Sequence, residues 1–205
     1  MPLSTYADLK AAIGAWSFNR ADLPAAELVA LGEARLNRDL RLRAMEREAQ
    51  LSGEAGWRLI ALPDDFMAPV ALWRITPAGR ERLTPARADL TPAETPGAPR
   101  RWAVDGEAAA LDRPLAEAGQ FVLRYIGRLQ LSAQAPANWL LSRHPDAYLS
   151  ACLVEAALWA QDDDQAVRWQ ARYEACVQSV RHAETASRRI PLRPEPAACD
   201  GGWIR

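Results

Sequence analysis

Residues 138–161 read NWLLSRHPDAYLSACLVEAALWAQ. Asn138 is a residue type that opens a short helical turn. Pro145 suits the first position of a longer helix, with His144 or Ser142 beside it as cap. Asp146 falls in the first turn, where a carboxylate favours the positive end of the helix dipole. Beyond it Tyr148, Leu149, Cys152, Leu153, Val154, Leu158 and Trp159 leave no clean polar face, and Glu155 stands alone among them. A surface helix carries one apolar stripe, so this one needs cover on several sides, from its own chain or from neighbouring copies. The run is too short and too interrupted to span a membrane.

Upstream, Ser4 or Thr5 caps a first helix with Leu9, Ala12, Ile13 and Trp16 on one side. Asp22 is placed to cap a second, with Pro24 tolerated in its first turn. At about 100° per residue, Leu28, Leu31, Leu36 and Leu42 share one broad apolar arc that also contains Arg35 and Asp39. A charge inside an apolar arc demands a partner. Glu155 is the candidate partner for Arg35; the alternative is that both sit at a helix edge and reach water.

From Glu46 the pattern changes to short alternating runs at 49–51, 57–62, 70–75, 102–104, 120–126 and 129–131. Pro63-Asp64-Asp65 signals a turn and Asp105-Gly106 a two-residue hairpin, whereas the proline-rich 84–100 predicts little regular structure. Downstream, Asp162-Asp163-Asp164 opens a last helix whose Ala166, Trp169, Tyr173, Cys176, Val177 and Val180 recur at helical spacing. The three aspartates read as an N-terminal cap facing the helix dipole, because the further oxygen ligands of a calcium loop do not follow. The closing residues, 187–205, have three prolines, two adjacent glycines and no periodicity, yet end in Trp203-Ile204.

The chain has 205 residues, 25 basic and 26 acidic, for a formal charge of −1, and Lys10 is its only lysine. That balance gives no electrostatic case for a dedicated nucleic-acid binder. Cys152, Cys176 and Cys199 lack metal-ligand spacing, and the first two fall on helix faces, as small buried residues do in a reducing compartment. Residues 1–10 are polar and lead into a capped helix, so no export signal is expected. No glycine-rich phosphate loop, GxSxG or HExxH is present. His144 reads as a cap or tie and His182 as solvated; Glu107 and Asp112 can be nominated as a carboxylate pair, but their context does not single them out. No catalytic residue, metal or cofactor is expected. Eight tryptophans are many for this length, and large aromatics enrich interfaces. Trp16, Trp139, Trp159 and Trp169 read mainly as core.

The order NWLL, HPD, Tyr148 and an alanine-rich helix with Glu155 resembles the tailed-bacteriophage head-to-tail adaptor proteins. So do 34–45, ARLNRDLRLRAM, preceded by Glu33, and the polar opening and aromatic spacing of 162–173. Ser150-Ala151 departs from that pattern, in which a larger residue is more common. The resemblance implies a structural virion protein, assembled in the host bacterial cytoplasm. It implies a homo-oligomeric ring, twelvefold like the portal, with an axial channel through which DNA passes. Portal protein on one side and tail or nozzle proteins, with fibres, on the other are the implied partners, without a membrane.

The expected fold is α+β, mainly α. It is a four-helix bundle (4–17, 23–45, 145–160, 163–187) with a β-hairpin-rich insert at 46–135 between helices 2 and 3. An extended C-terminal arm at 188–205 leaves the 1–187 body. At the subunit joint, Arg38, Arg41 and Arg43 are expected to face Asp162, Asp163 and Asp164. In the arm, Arg188, Arg189, Ile190, Leu192, Arg193, Trp203 and Ile204 are the expected portal anchors, on a chain held extended by its prolines. Two other classes compete. A tail-borne cell-wall hydrolase needs a cleft carboxylate of raised pKa, and a cellular helical nucleic-acid-binding regulator needs a basic face.

Overall fold

A computed structural model describes residues 3–87 and 92–187. Helix α1 (Tyr6–Trp16) starts at Thr5, whose side chain accepts from the Asp8 amide while Asp8 accepts from the Thr5 amide, so two orphan donors are satisfied reciprocally. Helix α2 is Ala25–Asp39, and Pro24 precedes it without a side-chain cap. The expected cap, Asp22, instead pairs with Arg20 at 2.9 Å.

Helix α2 ends six residues before the expected 45. Leu40 takes an extended conformation, and a 3-10 turn follows at Arg43–Met45. The reason is packing. Leu40 and Leu42 are both buried, which an extended chain achieves at i and i+2, whereas a helix would point them about 200° apart.

Seven strands follow: β1 (Glu46–Gly53), β2 (Leu59–Ala61), β3 (Phe66–Thr76), β4 (Gly79–Pro85), β5 (Arg101–Asp105), β6 (Ala108–Leu111) and β7 (Gly119–Gly127). They form one sheet in the order β1-β7-β3-β4-β5-β6-β2, antiparallel throughout except for a short parallel β4–β5 pairing. The sheet curls until its end strands, β1 and β2, lie side by side. Two register shifts in β3, around Met67 and Val70, help the curl, since extra residues on one strand bend it and raise the local twist.

Inside the curl Leu51, Ile60, Leu72, Leu83, Trp102, Leu111, Phe121 and Leu123 form a core of their own. The expectation of a mainly helical four-helix bundle with a projecting insert is therefore corrected. Among the described residues helix makes up 41% and strand 27%, as five helices beside a nearly closed mixed sheet. Sequence patterning missed β4 and β6. GRERLTP buries only Leu83, and AAAL is short and lacks β-branched residues. The run at 129–131 is not a strand. The hairpin at Asp105 is present, with Gly106 at φ 57° in its two-residue turn.

Helix α3 (Trp139–Arg143) is capped by Asn138 Oδ1, which accepts from the Leu141 amide. Helix α4 is Pro145–Trp159, preceded by His144 without a side-chain capping bond, and α5 is Asp163–Ser187. Helices α1, α2, α3 and α5 all pack on α4, burying Tyr148, Ala151, Cys152, Leu153 and Val154. The apolarity of its middle is thus met within the chain, while Leu158 and Trp159 at its end stay exposed. Asn37 ties the helical layer to the sheet: its side chain donates to the Leu129 carbonyl at 3.0 Å and accepts from the Leu129 amide at 2.8 Å, just after β7.

Candidate functional site

Three polar nodes lock α2 against α4 and α5 and so set the shape of the exposed surfaces. In the first, the Tyr148 hydroxyl donates to Glu33 Oε1 at 2.5 Å and accepts from Asn138 Nδ2 at 3.1 Å. Burial pushes the Glu33 carboxyl up to about 7, against the lowering effects of Tyr148 and the Leu131 amide. Burial and the adjacent Glu33 also raise the Tyr148 hydroxyl, which keeps it a donor. In the second, Arg35 donates to Glu155 at 2.8 Å and to Gln170 at 3.0 Å. This is the partner the lone glutamate of α4 called for, and the two side chains are only 20% and 14% exposed. In the third, Tyr173 donates to Asp39 at 2.5 Å and Arg181 donates to the Asp39 carbonyl at 2.6 Å. Asn138, Glu33 and Tyr148 belong to the blocks that carry the family resemblance, and their role is to join helices.

The surface around these nodes carries exposed apolar groups. Trp16 (55% exposed) and Phe18 (86%) lie at the end of α1, Leu158 and Trp159 at the end of α4, and Val167 (70%) on the first turns of α5. Trp16 meets the Trp169 ring edge-on at 5.5 Å, and the Arg20 guanidinium lies 4.7 Å from the Trp159 ring centre. Trp16 and Trp159 are thus partly exposed, where the sequence pointed to core. Among the described residues no group of three or more His, Cys, Asp or Glu is arranged to hold a metal ion, and no helix is long and apolar enough to cross a membrane. Asp112 is buried and accepts from the Arg100 amide, while Glu107 sits exposed in the β5–β6 turn.

Arg38, Arg41 and Arg43 are all exposed at the far end of α2. Arg38 and Arg41 border a hollow with Arg181 and Glu184, whereas Arg43 turns toward Glu46, Glu48 and Arg124 on the sheet. Asp162 caps α5, its Oδ1 accepting from the Gln165 amide at 3.0 Å, and Asp163 and Asp164 follow in the first turn. Eighteen residues of α5 separate Asp163 from Arg181 beside the α2 end, about 27 Å at helical rise. Within one chain, then, the two charged sets do not meet; they stand at opposite ends of α5. Arg188, Arg189, Ile190, Leu192, Arg193, Trp203 and Ile204 lie outside the described residues, as does Cys199.

The chain matches no curated protein. Its residues 4–195 match the model of the family described as SU10 adaptor protein, a stretch that runs through all five helices and all seven strands. The chain belongs to this family of phage head-to-tail adaptors, structural proteins of the virion.

Proposed function

We propose that this chain is one subunit of a closed ring seated between the portal and the tail of a phage particle, twelvefold like the portal, with an axial channel for DNA. The observation that carries this reading is membership of the adaptor family over nearly the whole chain. The layout of charge supports it. A ring needs two different patches per subunit that meet head to tail. Arg38, Arg41 and Arg43 at one end of α5 and Asp162, Asp163 and Asp164 at the other meet that requirement. The joint then uses α2, the α4–α5 corner and α5 rather than the middle of α4, which its own chain covers.

On the portal side the reading assigns 188–205 as a docking arm, with Arg188, Arg189 and Arg193 as charge contacts and Ile190, Leu192, Trp203 and Ile204 as apolar anchors. The part of the sheet away from the subunit joint is left to receive tail or nozzle proteins and fibres. The ring assembles in the host cytoplasm and travels with the virion.

Two measurements test this. The purified chain mixed with its portal protein should give stacked twelvefold rings in electron micrographs; monomers beside bare portals refute the ring. Removing 197–205 should leave the melting curve unchanged while abolishing attachment to portal-bearing heads. Undiminished attachment removes the arm from the interface.

A further inference from the structure

The outer face of the sheet adjoins the basic end of α2 at Arg43. Across β1, β7, β3 and β4, one outward row is Gln50, Val122, Trp73 and Arg82, of which Val122 is buried under its neighbours and Trp73 is half-buried. The rows on either side add Glu48 with Arg124, and Ile75 with Arg80; Arg101 continues the face on β5. Arg82 and Arg101 are exposed and make no ion pair among the described residues. Arg124 lies over the Trp73 ring at 5.6 Å, and Arg124 and Arg80 flank the Glu48 carboxylate at 2.8 and 3.6 Å. The face therefore has a centre of Trp73 and Ile75 and a rim of four arginines against two acids, Glu48 and, at the α2 end, Glu46. Arg43 lines the same hollow as Glu48 and Arg124, so the basic side of the proposed joint continues from the end of α2 onto the sheet.

The α4–α5 corner has the opposite character. Leu158, Trp159 and Val167 are exposed there, beside Asp162, Asp163 and Asp164. Between α4 and α5 a shallow apolar hollow of about 550 Å³ is edged by Asp163 and Glu174. Strand spacing makes the sheet face roughly 14 Å wide from β1 to β4, enough to seat a helix end about 10 Å across.

We infer that in the ring the α4–α5 corner of one copy sits on the outer β1-β7-β3-β4 face of the next, its aspartates against Arg80, Arg82 and Arg124 and its Leu158 and Val167 against Trp73 and Ile75. The inference rests on the ring reading and refines its joint, moving the partners of the aspartates from Arg38 and Arg41 at the end of α2 to the adjoining sheet. A second copy fits better than a nucleic acid, because phosphates have no use for the apolar centre and are repelled by Glu48. Aromatic and arginine groups around a dry centre are the composition of protein interfaces.

The test uses the full chain with portal protein, its assembly followed by mass photometry and electron microscopy. Arg80→Glu with Arg82→Glu removes the sheet side; Asp163→Arg with Asp164→Arg removes the corner and spares Asp162, the α5 cap. All four side chains are exposed, and unchanged circular dichroism and melting confirm that the variants fold. Each double variant should assemble at least tenfold more weakly than the wild type. The two mixed should co-assemble into rings of alternating variants, through one native and one charge-exchanged joint, and all four changes in one chain should restore rings by exchanged charge. If the wild type forms rings and Arg80→Glu with Arg82→Glu forms them equally well, the sheet-face joint is overturned and the ring stands. If the wild type forms no ring, the ring reading falls and takes this joint with it. A salt-dependent gel shift of duplex DNA, lost in the sheet variant, alongside unchanged assembly also overturns the joint.

Discussion

Glu33 is the residue whose chemistry depends most on its surroundings. Its carboxyl sits near 7 rather than 4.5 because burial disfavours the charged form. A carboxyl raised on folding is protonated in the native chain at pH values where the unfolded chain has lost the proton. Its contribution to stability is therefore full below the unfolded pKa and is lost as pH rises through about 7. Glu33→Gln keeps an acceptor for Tyr148 and removes the titration. Relative to wild type, its melting temperature should rise between pH 5 and pH 8, by roughly 4 °C. Parallel melting curves across that range would mean Glu33 does not titrate there. The Arg35–Glu155 pair behaves differently, since removing one partner strands the other charge. Arg35→Ala should cost about 3 kcal/mol in urea unfolding, while Arg35→Met with Glu155→Leu should recover most of it.

Among the elements, the α2–α4 crossing is the tightest joint. A Cβ at Gly32 would stand 2.8 Å from Cys152 Sγ and 3.1 Å from the Cys152 amide nitrogen. Backbone on one side of that contact cannot yield, so Gly32→Ala should destabilise by about 1–3 kcal/mol as the helices separate. Gly14 in α1 is the control, for a Cβ there meets nothing within 4 Å. Gly14→Ala should stabilise by about 0.5–1 kcal/mol, because alanine loses less backbone freedom in a helix. Equal effects in chemical denaturation would contradict the crossing. The same scale explains the helix ends. Leu23 to Met45 reads as one helix while only the apolar arc is counted, and the break at Leu40 follows from a core that needs Leu40 and Leu42 together.

For the whole molecule, the curled sheet and the helical layer each hold a core, joined through the turn after α2 and the segment after β7. Asn37 is the clamp between them, holding both polar groups of Leu129. Asn37→Ala should leave the Leu129 amide without this partner and lower stability by about 1–3 kcal/mol. Hydrogen exchange should show the faster amides in 128–131, with the strands of the sheet core unaffected; uniform acceleration would mean the two parts unfold as one.

By itself the sequence determined what local chemistry controls. The cap at Ser4 or Thr5, the turns at Pro63 and Gly106, the start of α4 at Pro145, the start of α5 at Asp163 and the need of Arg35 for a partner such as Glu155 all follow from residues within a few turns or from charge in an apolar arc. So does the resemblance carried by Asn138, Tyr148 and Glu33. Only the tertiary structure decided that β7 enters between β1 and β3, because strand order is set by partners some 75 residues away and alternation does not name a partner. It also turned hairpins into one curled sheet, ended α2 at Asp39 and left Trp16 and Trp159 partly exposed, since each outcome depends on how much surface the neighbouring elements cover. The pairing of charged surfaces between copies belongs to a still larger scale, and a periodic pattern along one chain carries no record of it.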